Sequence, residues 1–202
     1  MDSSRDDGTK WRFGPVEAWA LPYRFGQASE EIVRTPLASA LHERQPQHLP
    51  LRRDDRRRPY LAAPYSDYGV SWSHSGELLL LAVGKQLRLG IDTELKRRRP
   101  RARDLAKRYF HADETRRLQR SDDPNDDFLR LWCAKEAILK AHGDGIAFGL
   151  DRVVFAFDGH GPDSELRLVH CDPALGNADQ WQLREWTPAP DYLAMLAWRH
   201  HF

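Results

Sequence analysis

Residues 128–140, FLRLWCAKEAILK, place Lys135, Glu136 and Lys140 in a stretch that is apolar around nearly all of a helical circumference. At roughly 100° per residue, Trp132, Glu136 and Lys140 fall near one face, with Lys135 on its flank. Isolated charges in an apolar interior cost several kcal/mol, so this face should look onto a cleft holding a metal, an anion or both. The plainer alternative is a core helix with two lysines snorkelling to water and an i,i+4 pair of Glu136 with Lys140. A second charged group lies in Leu87-Arg88-Leu89-Gly90-Ile91-Asp92-Thr93-Glu94, which reads as a strand. Period two sends Asp92 and Glu94 to one face and Ile91 and Thr93 to the other. Neighbouring carboxylates repel unless a cation sits between them or one is protonated, which makes a hard metal ion economical; two exposed acids on a strand end remain open.

Three kinds of element must position these groups. Residues 69–76 read as a short strand closed by Gly76, which leaves Ser73 and His74 at the strand end, although a lone histidine is usually structural. Residues 77–83 and 87–94 read as two strands joined by a turn at Gly84-Lys85, hence a hairpin. A helix is expected from Asp104, another around 114–118, and the buried helix is to be capped by Asp127. Weak alternation over 16–21 suggests a strand, helical spacing over 27–42 is interrupted at Pro36, and 153–157, 165–170, 180–186 and 192–198 read as antiparallel strands between turns. Arg52-Arg53-Asp54-Asp55-Arg56-Arg57-Arg58-Pro59 is a solvated loop or, more sharply, a phosphate site. Gly143, Gly145 and Gly149 follow a helix rather than a strand, so they end that helix and are not a dinucleotide fingerprint.

Composition narrows the classes. The 202 residues, 41% hydrophobic with seven Trp, can build one large domain or two small ones. Thirty-one Lys and Arg nearly cancel thirty Asp and Glu, so net charge gives no hint of nucleic acid. Cys133 and Cys171 fit reduced thiols better than a disulfide framework. The acidic, polar start does not resemble a signal peptide and the longest aliphatic run is too short for a bilayer, so a soluble, cytoplasmic protein with no membrane partner is expected.

Trp72-Ser73-His74-Ser75, Gly90-Ile91-Asp92-Thr93-Glu94 and Trp132-Cys133-Ala134-Lys135-Glu136-Ala137-Ile138-Leu139-Lys140, in this order, resemble the signature of the 4'-phosphopantetheinyl transferase superfamily, most nearly its Sfp type. The resemblance covers about residues 58–157. It implies an α+β fold of two similar halves related by a pseudo-twofold, each an antiparallel sheet with packed helices, and an active site between them. The divisions would be a polar tail at 1–10, a first half at 11–95 and a second at 96–202. It also implies Asp92, Glu94 and Glu136 as ligands of Mg²⁺ (Mn²⁺ as the alternative), with Glu136 and Lys140 as catalytic residues. Coenzyme A would be held by Arg58, Ser73, His74, Lys135 and Lys140, and its phosphopantetheine passed to a carrier-protein serine by a monomeric enzyme. Thr93 stands where the family often has an aliphatic residue, but it faces away from the carboxylates. Arg97, Arg98, Arg99, Arg101 and Arg103 would meet an acidic carrier. A carboxylate–metal phosphohydrolase or nuclease explains the metal but not the ordered motifs. A binding module for acidic partners or RNA lacks a recognisable RNA motif.

Overall fold

The computed structural model describes residues 8–159 and 164–200. In chain order these form β1 (Thr9–Phe13), β2 (Val16–Pro22), α1 (Ser29–Ala40), β3 (Leu51–Arg53), β4 (Pro59–Leu61), β5 (Tyr68–Ser75), β6 (Leu78–Lys85) and β7 (Leu87–Leu95). Then come α2 (Ala102–Tyr109), α3 (Ala112–Gln119), α4 (Pro124–His142), β8 (Val153–Asp158), β9 (Glu165–Cys171), β10 (Gln182–Trp186) and β11 (Tyr192–His200). Of the stretch expected as a tail, 1–7 lies outside the described residues, whereas Thr9 and Lys10 already pair with β2. The helix expected to break at Pro36 runs through it, with Val33 and Leu37 on either side buried in the core.

The chain adopts the α+β fold expected of it, built from antiparallel sheets and packed helices. The first sheet has the order β1-β2-β6-β5 and the second the order β10-β11-β7. One face of the first sheet (Trp19, Leu79, Leu81, Val70) packs with Val33 and Leu37 of α1. Its other face (Val16, Ala18, Leu80, Ala82) packs on Leu89, Ile91, Ala194 and Leu196 of the second sheet. Beyond that sheet lies the core around α4, with Leu131, Ala134, Ile138, Met195 and Ala197. The layers therefore run α1, sheet, sheet, α4. No helix among the described residues is long and apolar enough to cross a membrane.

The hairpin expected between β6 and β7 does not form. Leucines from both faces of β6 are buried, and its backbone is taken on either side by β2 and β5, so β7 crosses to the second sheet and pairs with β11 from Leu87↔His200 to Leu95↔Tyr192. A continuous apolar run marks a strand buried on both faces, and such a strand is central rather than one arm of an isolated hairpin.

The cap of α4 is also displaced from expectation. Asp123 accepts from Asp126 N at 3.0 Å and Pro124 takes the first helical position, whereas Asp127 lies inside the first turn, buried, 3.8 Å from Arg117. The far end closes at Gly143, whose φ of 111° is left-handed. Between these ends α4 lies directly on the backbone of β7. A Cβ on Gly90 would stand 2.0 Å from Ala137 O and 2.6 Å from Ala141 N. A glycine inside a strand pattern signals such an approach. Gly90→Ala should therefore destabilise the fold by at least the ~1–3 kcal/mol usual for overpacking. Urea unfolding with an unchanged midpoint would show that α4 can move away from the strand at no cost.

Candidate active site

β7 and α4 cross at Gly90, and two residues further along the strand Asp92 reaches the helix face that carries Glu136 and Lys140. Asp92 and Glu136 are buried and Glu94 is half-buried. Lys140 Nζ lies 2.7 Å from Asp92 Oδ1 and also donates to Ser73 Oγ at 2.9 Å and to Ile91 O at 3.3 Å. Glu94 Oε2 accepts from Ser75 Oγ at 2.9 Å and from Arg99 Nη2 at 2.6 Å. Thr93 turns the other way, as period two requires, and donates to Leu193 O. The Cys133 thiol lies beneath the carboxylates, and burial together with Asp92 and Glu94 pushes its pKa well up.

β5 supplies the opposite wall. Ser71, Ser73 and Ser75 lie on one face of that strand. Ser71 Oγ accepts from Ile91 N at 3.2 Å and Ser75 Oγ from Leu95 N at 3.1 Å, so the serines satisfy the free edge of β7. Ser73 Oγ donates to Asp92 Oδ1 at 2.8 Å. His74, on the other face, is exposed and stacks on Tyr23, with ring centroids 4.1 Å apart. Partial burial and the charge of Lys140 hold its pKa below the ordinary histidine value, which leaves a neutral imidazole at neutral pH.

From Lys140 a groove of about 230 Å³ runs away from the carboxylates. Arg53, Arg56, Arg57 and Arg58 line one side of it, Trp72 and Ser71 another, and the Gly143-Asp144-Gly145 turn its end. Burial, with Arg88 nearby, lowers the pKa of Arg58, Asp54 opposing, and the Arg58 Nε is buried without a partner. The arginine run is thus part of a wall facing the cleft rather than a loop remote from it. Glycines that end a helix make no dinucleotide fingerprint, yet here they shape the groove, because a Cβ at Gly143 would crowd the Arg58 side chain at 3.3 Å.

The structure brings together six of the residues expected at the site: Ser73, Asp92, Glu94, Glu136 and Lys140 at the crossing, and Arg58 along the groove. His74 stands at the same strand end. Lys135 does not join them. It is fully buried on the other side of α4, its Nζ 2.7 Å from Glu114 Oε2 and donating to the carbonyls of Leu150 and Val153, so it cannot reach an external phosphate. Burial lowers its pKa, Glu114 opposing. Arg99, expected to face a partner, is instead fixed on Glu94, and its backbone N–H donates to Asn125 Oδ1 at 2.7 Å. Arg97, Arg98, Arg101 and Arg103 are exposed. The roles of Ser71 and Ser75 were readable in principle from their period-two spacing, and the role of Gly90 from its place inside a strand.

A divalent cation suits the donor set, since three carboxylates offer only oxygen. Burial first, then Asp92, with Glu94 adding and Lys140 opposing, raises the Glu136 pKa to about 7. As the side chains stand, Lys140 occupies Asp92 and Arg99 occupies Glu94, and no three His, Cys, Asp or Glu among the described residues are grouped closely enough to hold an ion.

Comparison with known proteins places the chain in a family. The family model for the 4'-phosphopantetheinyl transferase superfamily matches residues 88–194, a span that takes in nearly all of β7, the whole of α4 and the start of β11. The chain belongs to that superfamily. It is 33% identical over 113 residues to a putative 4'-phosphopantetheinyl transferase of Synechocystis sp., covering 55% of this chain and 43% of that one. To the 4'-phosphopantetheinyl transferase HetI of Nostoc sp. it is 34% identical over 149 residues, covering 71% and 58%. The match thus spans about half the length of these relatives. A holo-[acyl-carrier-protein] synthase from Neisseria meningitidis superposes with a TM-score of 0.40 at 18% identity, covering 55% of this chain and 96% of that one.

The raised Glu136 pKa makes stability depend on pH. The folded value of about 7 exceeds the ordinary 4.5, so the contribution is present below pH 4.5 and is lost as pH rises through 7. In chelator-treated protein, the stability of wild type relative to Glu136→Gln should fall across that window by on the order of 3 kcal/mol. Parallel unfolding-versus-pH curves for the two proteins would contradict the burial of Glu136 beside the other carboxylates.

Proposed function

We propose that this protein transfers the 4'-phosphopantetheine group of coenzyme A to a serine hydroxyl of an apo carrier protein, releasing 3',5'-ADP, and that it does so as a cytoplasmic monomer. The observation that carries this reading is the join between an arginine-lined groove and a buried carboxylate cluster at Lys140, within a chain of this superfamily. In this reading the groove holds the nucleotide end of coenzyme A, with Arg58 along its wall. Lys140 and Ser73 face the pyrophosphate through charge-assisted and neutral hydrogen bonds, and His74 reaches it from the strand end. Asp92, Glu94 and Glu136 hold Mg²⁺, which when bound neutralises charge on the pyrophosphate. Glu136 has none of the close cation contacts that Asp92 and Glu94 have, and so can lean toward the incoming serine hydroxyl. The two halves divide near residue 95, so that the cleft lies at their junction.

The deciding experiment incubates the protein with coenzyme A, Mg²⁺ and a panel of apo carrier proteins and weighs the carriers by mass spectrometry. Phosphopantetheine addition is expected. Hydrolysis of coenzyme A without addition would point to a phosphohydrolase instead. Asp92→Ala and Glu136→Ala should each abolish transfer in a folded protein, and near-native rates in either would sink the ligand assignment. Lys140→Ala should weaken coenzyme A binding by about 1.5–3 kcal/mol, the worth of a charge-assisted hydrogen bond, as read by calorimetry.

The exposed Arg97, Arg98, Arg101 and Arg103 follow the carboxylate strand and suit an acidic face on the carrier. Reversing two of them to Glu should raise the KM for carrier and reduce its salt dependence while leaving that for coenzyme A nearly unchanged. A carrier KM with the same salt dependence as wild type would mark them as a solvated loop.

A further inference from the structure

The C-terminal end of α4 carries more cations than the groove or the carboxylates use. Arg88 on β7 and Arg199 on β11 are direct partners in the antiparallel register, so their side chains leave the sheet on one face. That face is covered by α4 where Gly90 touches the helix backbone at Ala137 and Ala141, and Arg88 and Arg199 are close enough to His142, in the last turn, for their charges to act on it. Arg58 approaches from the groove side, against Gly143. Like charges directly opposite on paired strands are destabilising, so this pairing needs a compensating anion. Asp144, the acid beside His142, is already ion-paired with Arg56 and stands 3.5 Å from His142 Nε2.

Buried nitrogens here are left unsatisfied, although Arg199 Nη1 reaches Gln180 Oε1 at 3.5 Å. Arg58 Nε, His142 Nδ1 and Arg199 Nε are buried without a hydrogen-bond partner, and Arg88 has no hydrogen-bond or ion-pair partner among the described residues. Buried polar groups of this kind are normally satisfied, and a cluster of them calls for a ligand. Burial and then the surrounding arginines, Arg88 first, hold the His142 pKa below its ordinary value. A simple cap on the helix carbonyls would explain the charge through the helix dipole. It does not explain the buried Nε–H groups of Arg58 and Arg199, which reach no carbonyl. The dipole itself disfavours an anion here, so any binding must come from the side chains.

We propose that Arg88, Arg199 and His142 form an anion site for a phosphate-class group at the C-terminal end of α4, with Arg58 shared between this site and the groove. Two sources share that chemistry: the 3'-phosphate of coenzyme A, which rests on the function proposed above, and free phosphate or a phosphorylated metabolite, which does not.

The test titrates inorganic phosphate into the full chain at constant ionic strength, using calorimetry and the NMR signals of the His142 ring as a local reporter. Wild type should bind phosphate with a shift of those signals. Arg88→Gln combined with Arg199→Gln should weaken this binding roughly tenfold or more and, in phosphate-free buffer, raise the melting temperature by relieving repulsion. If the double variant does not fold, the single Arg88→Gln carries the same comparison. Coenzyme A that displaces phosphate from His142, and a double variant that no longer prefers coenzyme A to its 3'-dephospho form, assign the site to the nucleotide. Simultaneous binding of both assigns it to a free anion. Phosphate binding that is lost in the variant, in a protein that ignores coenzyme A, keeps this site and removes the transferase reading. Equal phosphate affinity in wild type and variant, or a variant of lower melting temperature with no phosphate response in either protein, overturns the proposal and makes the arginines a helix cap.

Discussion

The burial of Glu136 beside Asp92 and Glu94 is the constraint around which the site is arranged. The contact that enforces it has no side chain: Gly90 lets the backbones of β7 and α4 touch, and the carboxylates two and four residues along are then carried into the helix face. Neither element can retreat, since the strand is paired with β11 along its whole length and the helix is buried over most of its surface. The charge must therefore be answered on the spot. Lys140 answers Asp92 and Arg99 answers Glu94, while Glu136 is left with a pKa near 7. A site that concentrates negative charge and then leaves part of it unanswered is unfavourable for folding alone and suited to holding a cation.

The two sheets could not meet here without β5. Its outward residues, Val70 and Trp72, belong to the core beneath α1, whereas its inward residues are the serines 71, 73 and 75. An aliphatic inner face would have sealed the sheets together and left the edge amides of β7 unpaired. Serines satisfy Ile91 and Leu95 and still have a hydroxyl proton to donate to Asp92 and Glu94. One strand thus closes the junction between the two sheets and orients the carboxylates.

What was legible in the sequence follows from which signals are local. Period two put Asp92 and Glu94 on one face, and helical spacing put Glu136 and Lys140 together, because both depend only on neighbours along the chain. The hairpin failed because pairing is a competition: β6 had two other partners, and nothing within residues 77–94 records that. Arg99 reads from sequence as a free surface charge because its partner Glu94 lies around the end of the strand. The groove is assembled from the arginine run, β5 and the turn after α4, three segments whose proximity is purely tertiary. Asp123 and Asp127 are both plausible caps in an aspartate-rich connection, and Pro124, fitted to the first helical position, was the cue that separates them.

Lys135 and Lys140 show most directly where pattern stops and packing decides. They lie five residues apart on one helix, a rotation of roughly 140°, too small a difference in sequence to assign them different partners. On one side Glu114 accepts from Lys135, from Phe155 N at 2.8 Å and from His111 N at 3.0 Å, joining α4 to α3 and β8 in a fully dry pair. A buried pair of this kind contributes little net stability over an apolar replacement, but it penalises any rotation of α4 that would strand either charge. Fixing that rotation is what aims Lys140 and Glu136 at β7. The lysine that cannot touch a ligand thereby sets the angle at which the other one does.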